Sequence, residues 1–314
     1  MEEKKEEIYL NIKSEFKKNI IWQDLLIRDL LISLFCNGHI LLEWAPWLAK
    51  TLSVATLSKI IDLEFQRIQF TPDLLPSDLV WNIIYHPDTK RFEVKKWPIF
   101  SNMILADEIN RSPSKVQSAL LEAMAEKQVT IWDETFLLDK YFMVLATQNP
   151  IEQDWTYNLP EAQLDRFLLK TIVDYPKEEE EIQIMKKYSI SYKEKLEKVI
   201  KKSDIWKIRD EIEKIHVDDN IYSYVKDLIF YSRNNEKIKE NLLYGASPRA
   251  SIALIKTSKA LAYLNWRNFV IPEDIKEMLK PILRHRIILS YEAIAEWIKP
   301  DQIIDDISDN VKIK

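Results

Sequence analysis

The sequence predicts an α/β protein in which a parallel sheet, covered by helices on both faces, is followed by an all-helical domain. Three observations carry this. Five short apolar runs, HILLE (39–43), EFQRIQF (64–70), NMILADE (102–108), YFMVLATQN (141–149) and LKTIVDY (169–175), have the length and composition of buried strands. Segments of helical period separate them, which is the pattern of a parallel sheet sandwiched between helices. Beyond Pro176 the helical period holds almost throughout.

Taken in order, residues 5–36 carry apolar positions at helical spacing (Ile8, Ile12, Phe16, then Leu26, Leu30, Leu34) and predict two helices broken near Asn19 to Gln23. Between the strands, 50–61, 112–127 and 159–168 are the expected helices, the second opened by Ser112 as N-cap and Pro113 in the first turn. Residues 71–100, rich in Pro and Asp, read as an irregular insertion with a short strand or two. QVTIWDETFLL (128–138) alternates about Asp133-Glu134 and predicts a β-hairpin. After Pro176, KEEEEIQIMKKY opens a charged helix whose acidic run reads as a solvated face. Pro248, Pro272 and Pro281 are expected to mark helix starts. The resulting division is 1–38 as N-terminal helices, 39–176 as the core and 177–314 as a helical linker and lid.

Composition narrows the function. The chain has 314 residues and a formal net charge of −5, and no Lys/Arg block is free of interleaved acids, which argues against nucleic acid or an anionic membrane as a partner. The opening MEEKKEEIYL is charged and no apolar run reaches the roughly 18 residues of a membrane span, so neither a signal peptide nor membrane insertion is expected and the predicted location is cytoplasmic. Cys36 is the sole cysteine, which excludes an internal disulfide and a cysteine-based zinc site. His39, His86, His216 and His285 lack ligand spacing and are expected in packing or surface roles. Two counts do not fit an ordinary chain. There are two Gly and ten Trp, where a typical composition would give about 22 glycines.

The segment HILLEWAPWLAKTLSVATL places a strand, a short loop, Lys50-Thr51 and a helix in succession. That is the order of a phosphate-binding loop, in which backbone N–H groups and the helix N-terminus cradle phosphates, Lys reaches the β- and γ-phosphates and Thr holds Mg²⁺. Trp44, Ala45, Pro46, Trp47, Leu48, Ala49, Lys50 and Thr51 are therefore the candidate ATP-binding residues. In NMILADEINR a strand ends in Asp107-Glu108, an acid to bind Mg²⁺ and an acid to polarise an attacking water. The plainer alternative, a helix-capping pair, is outweighed by a third element, Asn149 at the end of the following strand, suited to orienting that water.

With these residues in place the chain resembles the MoxR family of AAA+ ATPases. LLEWAPWLAKT, EFQRIQFTPDLLPSD, ILADEINRSPSKVQSALLEAMAEKQVTI, ATQNPIEQ, TYNLPEAQLDRF and ASPRA carry the resemblance over most of residues 20–300. It implies a P-loop αβα sandwich with a helical lid and ATP between them. It also implies Lys50 and Thr51 as Walker A, Asp107 and Glu108 as Walker B, and Asn149 as sensor 1. Arg166 corresponds to an arginine finger reaching a neighbouring subunit, and Arg249 to sensor 2 on the lid. A guanidinium set against the charge that develops on a transferring phosphoryl group contributes roughly 10³ to 10⁵ in rate, and one borrowed from a neighbour makes hydrolysis depend on a ring. The ordinary alternative for Arg166 is an ion pair with Glu161 or Asp165; Arg249, at a helix start, opposes the helix dipole. The resemblance further implies a homo-hexamer acting on a protein client, with a von Willebrand factor A domain protein as a possible partner, in chaperone-like maturation. A DNA-remodelling relative is disfavoured by the acidic balance.

One departure from the family pattern is systematic. The loop of the family has glycine where Trp44 and Trp47 stand, and Trp22, Trp81, Trp97, Trp155, Trp266 and Trp297 also occupy family glycine positions, with Trp132 in a hairpin turn. Only Trp206, inside a helical stretch, reads as a tryptophan in its own right. Glycine serves in such turns because it takes φ > 0 and lets the backbone approach phosphate. The pattern predicts that the native protein carries glycine at most of these nine positions, through a codon that its organism reads as Gly. Genuine indoles at 44 and 47 would instead predict a catalytically inactive ring or scaffold subunit.

Overall fold

The computed structural model describes residues 2–20, 23–44, 50–86, 91–96, 98–131, 134–148, 157, 159–189 and 195–313, with backbone alone at 2–7, 44, 50, 81–86, 91–96, 131 and 237. Two helices, α1 (Glu2–Lys17) and α2 (Asp24–Phe35), lead into β1 (Ile40–Trp44), α3 (Lys50–Ile60), β2 (Phe65–Gln69) and the short α4 (Pro76–Val80). An antiparallel ribbon, β3 (Trp81–His86) and β4 (Arg91–Lys96), precedes β5 (Met103–Asp107) and α5 (Ser114–Glu126). The hairpin β6 (Gln128–Ile131) and β7 (Glu134–Leu137) is followed by β8 (Met143–Gln148), a single turn α6 (Glu161–Leu164) and β9 (Leu169–Val173). The remainder comprises α7 (Glu178–Tyr188), α8 (Lys202–Glu213), α9 (Asp219–Asn234), α10 (Glu236–Lys239), β10 (Leu242–Tyr244), α11 (Pro248–Leu264), α12 (Pro272–Leu283), β11 (Ile288–Leu289), α13 (Tyr291–Ala295) and α14 (Pro300–Asn310).

The five runs read as strands form one sheet in the order β2-β5-β8-β1-β9, and every pairing is parallel. Alternation assigns their side chains to two buried layers. Ile40, Leu42, Met103, Leu105, Met143 and Leu145 face α2, α3 and the C-terminal helices. Leu41, Ile104, Ala106, Val144 and Ala146 face α5 and its surroundings. Strands buried on both faces must be apolar at consecutive positions, which is why they read as runs rather than as alternating patterns. β1 lies inside the sheet, between strands reached by connections to opposite sides, and such a point leaves a ligand crevice beyond the carboxyl ends of the strands.

The lid packs onto the first layer as part of the same buried cluster, which extends from Ile12 to Ile307. α12 shows why: Ile275, Met278, Leu279, Ile282 and Leu283 recur at helical spacing and are buried, leaving Lys276 and Glu277 outward. Local signals set the helix ends. The Asp218 carboxylate accepts from the Asn220 N–H at the start of α9, and the Ser290 hydroxyl accepts from Ala293 N–H at the start of α13.

Four sequence expectations are corrected. The helix expected over 159–168 is one turn, because Asp165 is drawn to Arg286 and the Leu168 N–H to the His39 carbonyl, which pulls the chain into β9. Ser112 does not cap α5: its hydroxyl donates to the Ile109 carbonyl, closing the turn at Ile109–Arg111, and Pro113 is the N-cap. Pro281 lies inside α12, where the carbonyl deprived of its donor belongs to exposed Glu277. The 71–100 insertion is more regular than expected, holding α4 and a six-residue-per-strand ribbon.

Two helix ends bear on the tryptophans. α11 closes with the Arg267 N–H on the Ala262 carbonyl (2.9 Å) and the Trp266 N–H on the Tyr263 carbonyl (3.0 Å); α13 closes with Ile298 N–H on Ala293 (3.0 Å) and Trp297 N–H on Ile294 (3.1 Å). This pair of bonds needs a left-handed residue after the cap, most often glycine. Trp266 and Trp297 occupy it, at φ of 58° and 61°. α2 ends on the same two bonds with Asn37 in that place, a residue that tolerates the conformation.

Candidate functional site at the carboxyl ends of the strands

β1, β2, β5 and β8 direct their carboxyl ends to one edge of the sheet. There α3 begins at Lys50, with Thr51 half-buried in its first turn. α3 is tied to the N-terminal helices by Ser53 Oγ donating to Gln23 Oε1 (3.2 Å) and Asn19 Nδ2 donating to Thr56 Oγ1 (3.2 Å). Trp44 ends β1. The loop residues Ala45, Pro46, Trp47, Leu48 and Ala49, and Asn149, lie outside the described residues.

The acidic pair stands on the same edge of the sheet, at the carboxyl end of β5. Asp107 is buried at the end of β5; its Oδ1 accepts from Thr147 Oγ1 at 2.6 Å, and its Oδ2 from Arg67 Nε (3.1 Å) and Nη2 (2.7 Å). Glu108 has φ of 58°, an uncommon conformation for a residue with a side chain and one concentrated at functional positions. Its N–H donates to Thr147 Oγ1 (2.8 Å), so one buried hydroxyl fixes both acids. The Glu108 carboxylate accepts from Gln69 Nε2 (2.9 Å) and pairs with Arg111 Nε (3.2 Å). Gln69 Oε1 in turn accepts from Arg67 Nη2 (2.7 Å). Because residues i and i+2 of a strand share a face, β2 presents Arg67 and Gln69 together to the acids of neighbouring β5.

The arginines lie elsewhere. Arg166 and Arg249 line a cavity of about 360 Å³ with Gly38, His39, Lys127, Asp165, Leu168, Lys256 and Arg286. This is the amino end of the strands, since His39 precedes β1 and Leu168 precedes β9. Arg166 Nη1 donates to the Leu121 carbonyl (2.6 Å) and forms no ion pair among the described residues; Asp165 pairs instead with Arg286 (2.7 Å) and Arg249 (3.7 Å). At ~3.3 Å per residue, the length of β1 separates this cavity from Lys50. Arg249 therefore lies with Arg166 at the amino ends of the strands, away from the start of α3 in the same chain.

Two buried histidines support these ends. His39 accepts from the Val144 N–H (3.0 Å) through Nδ1 and meets the Met124 carbonyl (3.2 Å) through Nε2, joining β1, β8 and α5; burial pushes its pKa down to about 4. His285 meets the Phe167 carbonyl (3.0 Å), and burial with the neighbouring Arg286 charge holds it well below the usual histidine range. Among the described residues no cluster of three His, Cys, Asp or Glu side chains is arranged to hold a metal ion, and no helix is long and apolar enough to cross a membrane.

Sequence reasoning missed Arg67, Gln69, Thr147, Arg111, Asp165 and Arg286. The alternation of polar residues in EFQRIQF was a usable signal for the first two. Arg286 had none, because its partners in the core, Asp165, Phe167 and Leu168, lie more than a hundred residues away.

A parallel sheet in the order β2-β5-β8-β1-β9, with an acidic pair at the carboxyl end of β5 on the edge where the helix after β1 begins, and a helical lid packed behind it, defines the AAA+ class of ATPase folds. Residues 39–169 match the family model described as ATPase family associated with various cellular activities (AAA), and residues 235–307 match the AAA lid domain. The chain is 40% identical over 304 residues to Chaperone MoxR1 of Mycobacterium tuberculosis, covering 95% of this chain and 80% of that protein. It is 44% identical over 284 residues to protein YeaC of Bacillus subtilis, covering 90% and 88%. A crystal structure of a protein assigned as an ATPase, from Cytophaga hutchinsonii, superposes with a TM-score of 0.94 at 50% identity, covering 100% of this chain and 97% of that one. The chain belongs to the MoxR family of AAA+ ATPases.

Proposed function

We propose that the protein hydrolyses ATP with Mg²⁺ in a head-to-tail homo-hexameric ring and uses the cycle to remodel or mature a protein partner in the cytoplasm. The observation that carries this reading is the division of the machinery between the two ends of the sheet. Lys50, Thr51, Asp107 and Glu108 belong to the carboxyl ends, and Arg166 and Arg249 to the amino ends. A head-to-tail contact joins one subunit's carboxyl-end site to its neighbour's arginines, and a rotation that closes makes a ring.

The residues at the carboxyl ends fit Mg²⁺-ATP. The start of α3 supplies a helix N-terminus for phosphate, the Lys50 ammonium a counter-charge, and Thr51 and Asp107 hard oxygen ligands of the kind Mg²⁺ takes. Bound Mg²⁺ supplies charge neutralisation between the phosphates. Glu108, once released by Gln69, would orient the attacking water, and Asn149, the next residue after Gln148 in the chain, would share that role. Arg166 and Arg249 of the adjacent subunit offset the charge that develops on the phosphoryl group.

The native chain in this reading has glycine at 22, 44, 47, 81, 97, 132, 155, 266 and 297. Support comes from the left-handed backbone at Trp266 and Trp297, which glycine adopts without a Cβ penalty. Packing gives no counter-argument for Trp297, which is 88% exposed, and the buried Trp266 indole N–H has no partner among the described residues. Mass spectrometry of the native peptide from Glu43 to Lys50 reads two of these positions directly.

The name of the mycobacterial relative points to chaperone-like work, and a von Willebrand factor A domain protein is the partner to test first. The deciding assay is steady-state ATPase activity of the glycine form beside Glu108→Gln. A rate that vanishes in the variant is expected. No activity in the glycine form, or a rate unchanged by Glu108→Gln, overturns the enzyme reading and leaves a ring scaffold.

A further inference from the structure

The segment between α6 and β9 carries Arg166 and is gripped from the lid. Arg286, just beyond α12, is 7% exposed. Its Nε donates to Asp165 Oδ1 (2.7 Å), its Nη1 to the carbonyls of Leu168 (3.1 Å) and Ile282 (2.8 Å), and its Nη2 to the Phe167 carbonyl (2.6 Å). The Phe167 carbonyl also meets His285 Nε2 (3.0 Å). The residues on both sides of Arg166 are thus fixed by two consecutive lid residues.

The Asp165 carboxylate reaches further. Its Oδ2 accepts from Ser247 Oγ (3.2 Å) and faces Arg249 Nη1 (3.7 Å) at the start of α11. One carboxylate therefore touches the end of one lid helix and the start of another while standing next to Arg166 in the chain. Among the described cations on this cavity, Arg286 is the buried one and Arg166 and Arg249 are exposed. The buried guanidinium fixes the frame, while the exposed ones, held to the protein by the Leu121 carbonyl (Arg166) and by Asp165 (Arg249), still face solvent.

We propose that Asp165 and Arg286 are positioning residues that set Arg166 and Arg249 as one unit against the neighbouring subunit's nucleotide. A shift of α11 and α12 moves both arginines together. The role requires the planar fork of arginine, since an ammonium cannot serve Asp165, Phe167, Leu168 and Ile282 in their separate directions. The inference rests on the reading that hydrolysis is completed across a subunit interface.

The test uses the full chain with glycine at the nine positions, as Arg286→Lys and Asp165→Asn, with Arg166→Ala and Glu108→Gln for reference. Both hub variants are expected to lose about 10- to 100-fold in ATPase rate, the scale of a displaced catalytic group. Ring size should be unchanged, and affinity for a fluorescent ATP analogue should stay within about threefold, because each subunit's own binding site is intact. Mixing either variant with Glu108→Gln subunits should restore activity: a random one-to-one ring joins a sound site to a sound arginine unit at about one quarter of its interfaces. Should Arg286→Lys not fold, Asp165→Asn, which keeps the shape of the side chain, decides alone. Parental activity in Asp165→Asn overturns the proposal. So does a loss that mixing leaves in place while the Arg166→Ala mixture recovers. An Arg166→Ala mixture that stays inactive refutes the interface reading itself, and this proposal with it.

Discussion

Replacing Trp297 by glycine should stabilise the chain that carries tryptophan there, although it removes the largest side chain available. The residue follows α13 at φ 61° with its ring 88% exposed, so little burial is lost. Holding a side-chain-bearing residue in the left-handed region costs roughly 1–2 kcal/mol, and the extra unfolded-state freedom of glycine returns part of that. The net gain is about 1 kcal/mol. Trp266→Gly relieves the same conformation after α11 and also removes a buried indole N–H without an acceptor among the described residues. An unpaired donor of that kind costs about 1–3 kcal/mol, against which the packing of a half-buried ring is lost, so a gain of about 1–2 kcal/mol is expected. Urea denaturation followed by circular dichroism measures each change, and the thermal midpoint should rise about 2–4 °C per kcal/mol. Trp206→Gly is the control of opposite sign, because it places glycine inside α8 and should cost about 1 kcal/mol. A neutral or destabilising Trp297→Gly, or a stabilising Trp206→Gly, would refute the reasoning.

Three further outcomes follow from buried groups. Burial pushes His39 down to about pH 4 from an ordinary value of 6.5. Above pH 6.5 the ring is neutral folded or unfolded; between 6.5 and 4 the unfolded chain takes a proton that the folded one refuses, removing about 3 kcal/mol. A pH series of denaturation curves on His39→Gln should show a stability slope in that window shallower by about 1.4 kcal/mol per pH unit. Thr147→Val preserves shape but strips a bond from Asp107 and an acceptor from the Glu108 N–H; a stability loss of about 1–3 kcal/mol is expected, together with a reduced ATPase rate. Asp274 is buried, accepts from the Ile271 N–H (2.9 Å) and pairs with Arg267. Asp274→Ala should cost about 3 kcal/mol by thermal denaturation, because the partner is left partly buried without its counter-charge.

Much of the fold was legible because its determinants are local. Strands buried on both faces appear as unbroken apolar runs, and the acids of the site sit at the end of one such run, so Asp107 and Glu108 could be named from sequence alone. Helix limits that depend on distant partners were not legible. The helix at 159–168 shrinks to one turn because Arg286 and the His39 carbonyl draw Asp165 and Leu168 away, and nothing near those residues announces it. Ser112 looked like a cap by residue type, yet its hydroxyl serves the turn before it. The same limit applies to Arg249: the motif around it marked it as a candidate, but only packing of the lid reveals which end of the sheet it occupies.

If hydrolysis is completed across a subunit interface as proposed, the placement of Lys50 and Arg166 at opposite ends of the strands also ties activity to abundance. In the proposed ring a lone subunit would hold half of each of two sites and a complete copy of neither. Its turnover per molecule should therefore climb with protein concentration until every carboxyl end has met an amino end. Dilution becomes an off-state that needs no inhibitor, and a cell could set the enzyme's output by how much of the chain it makes.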